Sequence, residues 1–274
     1  MTENLNKTIF LYDDNVGYVS LVDSMIIDPM LKTVCAARAS YNKKSDKFGE
    51  RDSKLINFLA REEHTSPFRH SFFSFELCVP LFVFRQWIKY QVGCAWKEFE
   101  VGSVPVTKDL FLEINDLQFD TDKGCTWNEL SARYSELVPQ FYIPKRMRAN
   151  AVHGNKQASI EPSTWDDNFH DLHARSMEAF CNDAFIYYKR LIDNGIAREQ
   201  ARAYLPQAIY TRAYWTCSLQ AVLHFLKQRL KDDAQYEIRV AAQAIKKLIQ
   251  DYLDTKLDFK INLDSLIDTD GKVQ

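Results

Sequence analysis

The chain has 274 residues, of which 46% are hydrophobic and 26% are charged, and its formal net charge is −2. This composition is typical of a soluble globular protein with enough apolar material for a large core. The balance of 35 basic against 37 acidic residues argues against a general nucleic-acid binder or a polybasic membrane binder.

The N-terminus and the cysteines indicate a cytoplasmic protein. Residues 1–10 lack the basic stretch and following apolar stretch of a secretory signal. No run of about 18 consecutive apolar residues predicts a membrane span. The six cysteines include no C-x-x-C pair, so we expect reduced thiols packed as small hydrophobes.

The first elements are short strands followed by helices. Residues 8–23 predict two strands joined by a turn that contains Asn and Gly. A helix is predicted over 28–40, because Asp28 is a favourable N-cap and Pro29 suits the first helical position. A second helix is predicted over 50–62.

The middle of the chain predicts a strand, a helix and two irregular stretches. Residues 70–79 alternate aromatic and polar side chains and predict a strand, and a helix is predicted directly after Pro80. Residues 100–124 have no helical period and predict a long surface loop. Residues 145–170 are polar and predict an irregular segment.

From Asp171 to about Leu253 the pattern predicts helix almost throughout. Breaks are expected at 194–195, near Pro206 and around 231–233. No Gly/Ser-rich or Pro-rich linker separates this part from the N-terminal half. We therefore predict one α+β domain over residues 1–274.

Several common nucleotide-binding and metal-binding patterns are absent from the sequence. There is no G-x-G-x-x-G, Walker A or G-x-S-x-G motif, which disfavours a Rossmann domain and a P-loop enzyme. His170 and His173 are three apart, but the sequence positions no third ligand. We interpret them as a solvated helix start and predict no metal.

Two arginines on a predicted helix suggest an anion site. Arg198 and Arg202 are four residues apart and would face the same way, so their charges repel unless an anion lies between them. The alternative is that Glu199 and solvent screen both charges.

Arg229 continues an apolar stripe on its predicted helix, so its guanidinium is expected to be partly desolvated and to need acceptors. One interpretation is an ion pair with Asp232 or Asp233, and the other is a fixed cation aimed into a pocket. The stripe consists of Trp215, Leu219, Val222, Phe225 and Leu226.

A short pattern occurs twice, as "CAWKEF" at 94–99 and "CTWNEL" at 125–130, with the two cysteines 31 positions apart. The second copy alone continues into Glu129, Ser131 and Arg133. An acid, a hydroxyl and a guanidinium so close together suit the sugar and phosphate of a nucleotide.

Eight segments in this order resemble the flavin-dependent thymidylate synthases. They are "AARAS" (36–40), "SPFRH" (66–70), "FRQW" (84–87), "WNELSARYS" (127–135), "FYIP" (141–144), "REQARAYLP" (198–206), "YTRAYWT" (210–216) and "AQYEI" (234–238).

The resemblance implies a fold, an assembly and a reaction. It implies a compact subunit with an antiparallel sheet and a helical C-terminal half, and a homotetramer with active sites between subunits. It implies conversion of dUMP to dTMP, with methylenetetrahydrofolate as carbon donor, reduced FAD as hydride source and NADPH to reduce the flavin again.

The resemblance also implies which residues contact dUMP. Arg229 takes the catalytic position, where a cation stabilises charge that develops on the pyrimidine, and Ala132 replaces a common glycine. The full dUMP set is Gln86, Lys89, Glu129, Ser131, Ala132, Arg133, Arg202 and Arg229.

The flavin positions depart further from the family pattern. Lys89 begins a Lys-Tyr-Gln triplet where the family has Arg-His-Arg, and Arg69 stands where glutamate is usual. Asparagine and arginine types that face the flavin are replaced by Ser218, Gln220 and His224. The FAD set implied by the resemblance is Ser40, His64, Ser66, Lys89, Tyr90, Gln91, Val92, Glu129, Ser218, Gln220 and His224.

The repeated pattern predicts an insertion. The family runs directly from the triplet helix into the segment that here begins at Cys125, so residues of about 95–125 are interpreted as an inserted loop beside the flavin or folate site. A local duplication explains the two copies, and chance similarity is the alternative.

Three functions remain open at this point. The first is a working flavin-dependent thymidylate synthase. The second is a related one-carbon transferase that hydroxymethylates dUMP, and the third is a non-catalytic dUMP-binding protein.

Overall fold

The computed structural model describes residues 7–25, 28–90, 125–134, 136–151, 158–162 and 164–267. The strands are β1 (Lys7–Phe10), β2 (Tyr18–Ser24), β3 (Phe72–Pro80), β4 (Cys125–Glu129), β5 (Ala149–Asn150), β6 (Ser159–Ile160) and β7 (Tyr210–Ser218). The helices are α1 (Pro29–Ala39), α2 (Glu50–Arg61), α3 (Leu81–Trp87), α4 (Asp167–Asp193), α5 (Arg198–Ala201), α6 (Leu219–Arg229), α7 (Tyr236–Lys256) and α8 (Asp264–Ile267), with 3-10 helices at Ser66–His70 and Arg202–Tyr204.

The main sheet is antiparallel throughout, with strand order β1-β2-β3-β7-β4. β3 and β7 form its centre, and their register runs from Phe72 opposite Ser218 to Pro80 opposite Tyr210. β4 adds at the edge of β7. An antiparallel sheet combined with helices confirms the α+β prediction.

The core packs against one face of this sheet. Trp215 of β7 is fully buried and stacks on Trp127 of β4, with ring centroids 5.3 Å apart. Trp87 and Phe225 approach Trp215 edge-on, both at 5.6 Å. These aromatic contacts attach β4, α3 and α6 to the central strand.

The opposite face of the sheet carries polar side chains. Glu76 of β3 accepts hydrogen bonds from the hydroxyls of Tyr18 at 2.6 Å and Tyr214 at 3.2 Å. Ser74 pairs with Thr216 at 2.8 Å. Each strand therefore alternates between a core-facing and an open side.

The predicted elements of the N-terminal half are confirmed. The strands within 8–23 and the helices at 28–40 and 50–62 all form. The carboxylate of Asp28 caps α1 as expected, because it accepts from the backbone amides of Met30 at 2.8 Å and Leu31 at 3.2 Å.

The prediction of helix almost throughout 171–253 is wrong at β7. Along this strand Ala213, Trp215 and Cys217 are buried, whereas Arg212 and Tyr214 are exposed. This alternation fits a pleated strand better than a helix. Trp215 therefore precedes the helix that it was predicted to share with Leu219.

The prediction of a solvated helix start is wrong for His170, whereas His173 is exposed as predicted. His170 lies in the first turn of α4 but is only 2% exposed, so this helix start is not solvated around it. Its Nδ1 accepts a hydrogen bond from the amide of Met147 at 3.0 Å. The contact joins Met147, near the start of the 145–170 segment, to the helix at its end, and the described residues of the segment also form the small β5–β6 pair.

Three predictions fall on residues that the structure does not describe. The loop at 100–124 and the first copy of the repeat, at 94–99, lie outside the described residues, as does nearly all of the insertion predicted at 95–125. Within the described ranges, no helix is long and apolar enough to cross a lipid bilayer.

Candidate active site

A cavity of about 580 Å³ lies between α3, the end of β4, the second 3-10 helix and the start of β7. Three residues of the predicted dUMP set line it, namely Glu129, Ala132 and Arg202. They come from segments 70 residues apart in sequence, which the antiparallel pairing of β4 with β7 brings together.

The residues after β4 are fixed by hydrogen bonds to β7 and to one another. The hydroxyl of Thr211 donates to Glu129 Oε1 at 2.9 Å, and the amide of Leu130 donates to the carbonyl of Arg212 at 2.8 Å. The amide of Arg133 donates to Ser131 Oγ at 3.3 Å. Of this motif, Glu129 lines the 580 Å³ cavity, whereas Arg133 lines a neighbouring depression of about 430 Å³.

Glu199 lies between two arginine-bearing surfaces. It lines the 580 Å³ cavity with Arg202 and also a shallower depression of about 430 Å³ with Arg133 and Arg198. Its carboxylate pairs with Arg133 Nε at 3.4 Å, while Arg198 Nη1 donates to the carbonyl of Tyr134 at 3.2 Å. Glu199 therefore separates the cavity that contains Arg202 from the depression that contains Arg133 and Arg198.

Arg198 and Arg202 lie one helical turn apart as predicted, because the amide of Arg202 donates to the carbonyl of Arg198, but they line different cavities. α5 ends at Ala201, and Arg202 begins a 3-10 helix. Arg198 therefore reaches the 430 Å³ depression, whereas Arg202 lines the 580 Å³ cavity.

Arg229 is the last residue of α6, and its guanidinium carbon lies 5.0 Å from the ring centre of Tyr90. Its Nε is buried, and among the described residues it has no hydrogen-bond partner. Burial raises the pKa of the Tyr90 hydroxyl, and the adjacent Arg229 guanidinium offsets part of that rise. The site thus holds a partly desolvated cation with donor capacity to spare.

The three arginines of the predicted dUMP site do not share a cavity in the described part of a single chain. Arg202 lines the 580 Å³ cavity, Arg133 forms an ion pair with Glu199, and Arg229 packs beside the ring of Tyr90.

Two further residues of the dUMP set lie on or just after α3. Gln86 is half-buried and donates through Nε2 to Gln235 Oε1. Lys89 is exposed. Neither side chain lines the 580 Å³ cavity.

The flavin set divides between two neighbouring cavities. Ser40, His64 and Ser66 line a cavity of about 760 Å³ between α1, α2 and the first 3-10 helix. Gln220 and His224 of α6 line a second one of about 350 Å³.

One short turn forms a wall of both flavin-side cavities. Glu63 and Thr65 line the 350 Å³ cavity, whereas His64 and Ser66 line the 760 Å³ cavity. The predicted flavin residues therefore lie on both sides of the segment after α2.

Arg69 and Gln220, two residues that depart from the family pattern, contact each other. Arg69 Nε donates to Gln220 Oε1 at 2.7 Å. Because a guanidinium has donors only, this contact leaves the amide hydrogens of Gln220 for other acceptors. The substitution at Arg69 therefore orients a residue of the predicted flavin set.

Ser218 does not have the position expected for a flavin contact. It is fully buried and is the N-cap of α6, and its Oγ accepts from the amide of Ala221 at 3.2 Å. The hydroxyl is thus used to begin the helix. Gln91 and Val92 of the predicted flavin set lie outside the described residues.

Sequence reasoning missed several residues of the site. Thr211 and Glu199 contact predicted residues, and Gln235 contacts Gln86. The signal that could have found them is their position inside the segments 198–206, 210–216 and 234–238, which carry the family resemblance.

The comparisons with known proteins agree with one another. Residues 20–106 and 118–253 match the family described as thymidylate synthase complementing protein. The match leaves out 107–117, which lie within the segment predicted to be inserted.

Two relatives cover most of the chain. A flavin-dependent thymidylate synthase of Thermosipho melanesiensis is 32% identical over 236 residues, which is 86% of each chain. A flavin-dependent thymidylate synthase of Thermus thermophilus is 36% identical over 235 residues, covering 86% of this chain and 72% of the relative.

The fold is similar to that of a solved methylase. The crystal structure of the UMP/dUMP methylase PolB from Streptomyces cacaoi, bound with 5-Br dUMP, superposes with a TM-score of 0.65 at 27% identity. The superposition covers 91% of this chain and 98% of that one.

Proposed function

The chain belongs to the family of flavin-dependent thymidylate synthases, and from this premise we propose that it is a cytoplasmic enzyme that converts dUMP to dTMP. In this proposal methylenetetrahydrofolate supplies the carbon, reduced FAD supplies the hydride, and NADPH reduces the flavin again. The likeness to a methylase bound with 5-Br dUMP supports a uracil nucleotide as substrate.

The observation that carries the proposal is the 580 Å³ cavity with Glu129, Ala132 and Arg202 in its wall. A nucleoside monophosphate needs an acceptor for its N–H and O–H groups and a donor for its phosphate, which a carboxylate and a guanidinium supply. Arg133 adds a cation in the neighbouring depression, where it pairs with Glu199, and Glu199 lines both.

Arg229 is proposed to act on the pyrimidine. Activating C5 of the uracil ring to attack the electrophilic methylene group places negative charge on the uracil carbonyls, and a nearby guanidinium stabilises that charge. Arg229 suits this role because its Nε has no partner among the described residues and Tyr90 packs on its guanidinium. It also needs no deprotonation to act.

The residues on the flavin side fit a flavin. His64 and Ser66 supply polar groups in the 760 Å³ cavity, and the amide of Gln220, oriented by Arg69, supplies a donor in the next one. The ring of Tyr90, beside His224 at 5.7 Å, can pack on an aromatic ring. When bound, FAD would carry the hydride to the nucleotide.

The active site is proposed to form between subunits of a homotetramer. This would explain why the three arginines do not share a cavity in the described part of one chain. An exposed apolar face on one helix also suits a subunit interface. On α4 this face includes Leu172, Phe180, Ile186 and Tyr187, which are 57%, 63%, 50% and 48% exposed.

A second candidate is hydroxymethylation of dUMP. It is favoured by the uneven departure from the family pattern, which is concentrated at Lys89, Arg69 and Gln220 on the flavin side while Glu129, Ser131 and Arg133 are kept. In that case the carbon would be transferred but not reduced by a flavin.

The test is the absorbance of the purified protein followed by the mass of the nucleotide product. We expect a flavin spectrum after incubation with FAD. We also expect dTMP when dUMP, methylenetetrahydrofolate and NADPH are added, with a reaction lacking FAD as the control. A hydroxymethyl product would support the second candidate, and unchanged dUMP with bound nucleotide would indicate a non-catalytic binder.

A further inference from the structure

A chain of hydrogen-bonded side chains runs from α3 to the start of α7. Gln86 Nε2 donates to Gln235 Oε1, and Gln235 Nε2 donates to Glu237 Oε2 at 2.8 Å. The other oxygen of Glu237 accepts from the hydroxyl of Tyr142 at 3.1 Å. This chain of hydrogen bonds joins three segments that carry the family resemblance, at 84–87, 141–144 and 234–238.

The chemistry of Glu237 fixes the direction of every bond in this chain. An ionised carboxylate only accepts, so Gln235 must turn its NH₂ group toward Glu237 and its carbonyl toward Gln86. That carbonyl also only accepts, so Gln86 must turn its own NH₂ group toward Gln235. The oxygen Oε1 of Gln86 is then the end left for a ligand.

Two tyrosines hold Glu237 in place. Tyr142 donates to its carboxylate, and the hydroxyl of Tyr12 donates to its backbone carbonyl at 3.0 Å. The rings of the two tyrosines pack edge-on at 5.0 Å. Burial and the Glu237 charge raise the pKa of the Tyr142 hydroxyl, so it remains a donor at neutral pH.

We propose that Gln235 and Glu237 are positioning residues that present the carbonyl of Gln86 to a hydroxyl of the nucleotide sugar. This inference rests on the proposed function, in which Gln86 belongs to the dUMP set and the site forms between subunits, because Gln86 does not line the 580 Å³ cavity of its own chain. A phosphate ester at neutral pH is largely dianionic and offers acceptors rather than donors. The carbonyl of Gln86 in this orientation therefore matches the sugar hydroxyl, and the second amide hydrogen of Gln86 stays available to an acceptor such as the phosphate.

The experiment compares two nucleotides by calorimetric titration, namely dUMP and 2′,3′-dideoxyuridine 5′-monophosphate, which lacks the 3′-hydroxyl. Wild-type protein should bind dUMP about five- to tenfold more tightly, the size expected for one hydrogen bond. In Gln86→Leu that ratio should fall to about one, because the acceptor has been removed.

Glu237→Gln tests the positioning role. A Gln at 237 can donate to Gln235 as well as accept from it, so both orientations of the chain become available and the ratio should fall to about two or three. Glu76→Gln is the matched control, because it makes the same change at a different hydrogen-bonded carboxylate. Glu76 accepts from the hydroxyls of two tyrosines, and the variant should leave the ratio unchanged.

The outcomes separate the inference from a merely structural role. If Glu237 only supports the fold, Glu237→Gln will weaken both nucleotides equally and keep the wild-type ratio, which overturns the inference. Discrimination that survives in Gln86→Leu also overturns it, as does a wild-type ratio of about one. A wild-type protein that binds neither nucleotide contradicts the proposed function itself.

Discussion

Arg229→Ala is expected to lower dTMP formation by about 100- to 1000-fold, the loss typical of removing one group that stabilises transition-state charge. Arg229 ends α6 beside Tyr90, and its Nε has no other partner in the described part of the chain. The side chain supports little of the core, so the fold and the assembly should persist. Initial rates at saturating dUMP measure the effect.

Two further variants make this prediction specific. Arg229→Lys keeps the charge but loses the planar guanidinium, so we expect only partial recovery. Arg175→Ala removes an exposed arginine of α4 that donates to the carbonyl of Asp171, and it should retain wild-type rates. Wild-type turnover in Arg229→Ala would reject the catalytic role.

Arg202→Ala is expected to weaken dUMP binding by about 10- to 100-fold, which corresponds to one charge-assisted phosphate contact. Arg202 lines the 580 Å³ cavity together with Glu129 and is exposed, so its loss should not disturb the core. Arg133→Ala should have a smaller effect, because its guanidinium also pairs with Glu199. Calorimetric titration with dUMP measures both variants.

The salt dependence distinguishes a phosphate contact from a general loss of structure. The affinity of wild-type protein for dUMP should fall as salt is added, and the slope should be shallower in Arg202→Ala. Arg175→Ala again serves as the control, with unchanged affinity and slope. Unaltered dUMP affinity in both Arg202→Ala and Arg133→Ala would remove these residues from the site.

Elements with local signals could be predicted from the sequence, whereas β7 could not. The carboxylate of Asp28 and the ring of Pro29 specify the start of α1 without help from distant residues. Residues 210–218 carry a period-2 burial pattern, but Trp215 is also four residues before Leu219, as on a helix. Pairing with β3 and stacking on Trp127 decide the outcome, and both depend on the folded chain.

In the candidate site, too, proximity between sequence neighbours could be predicted, whereas contacts between distant residues could not. Glu129, Ser131 and Arg133 lie within five residues, so their proximity follows from the sequence. The hydrogen bonds of Gln86 with Gln235 and of Arg69 with Gln220 join residues 149 and 151 positions apart. Nothing in the local pattern predicts such contacts.

The prediction that His170 is solvated was wrong for a related reason. A histidine at the start of a polar helix predicts a solvated side chain, but the segment before α4 folds back and buries it to 2% exposure. The backbone amide of Met147 then donates a hydrogen bond to Nδ1 of His170. The burial depends on how residues 145–170 pack, and this segment has little regular structure to reveal that from sequence.

The most direct test of the proposed site mixes two inactive chains. Arg229→Ala and Arg202→Ala chains carrying different tags are co-expressed and mixed assemblies are isolated by both tags. Their dTMP formation is measured at a dUMP concentration far below the Kd of Arg202→Ala, so that each parent is nearly inactive. If the two arginines meet on one nucleotide across a subunit interface, random assembly leaves both intact at about one site in four, and roughly a quarter of wild-type activity should return. Mixed assemblies as inactive as either parent would contradict a site that combines these arginines from neighbouring subunits.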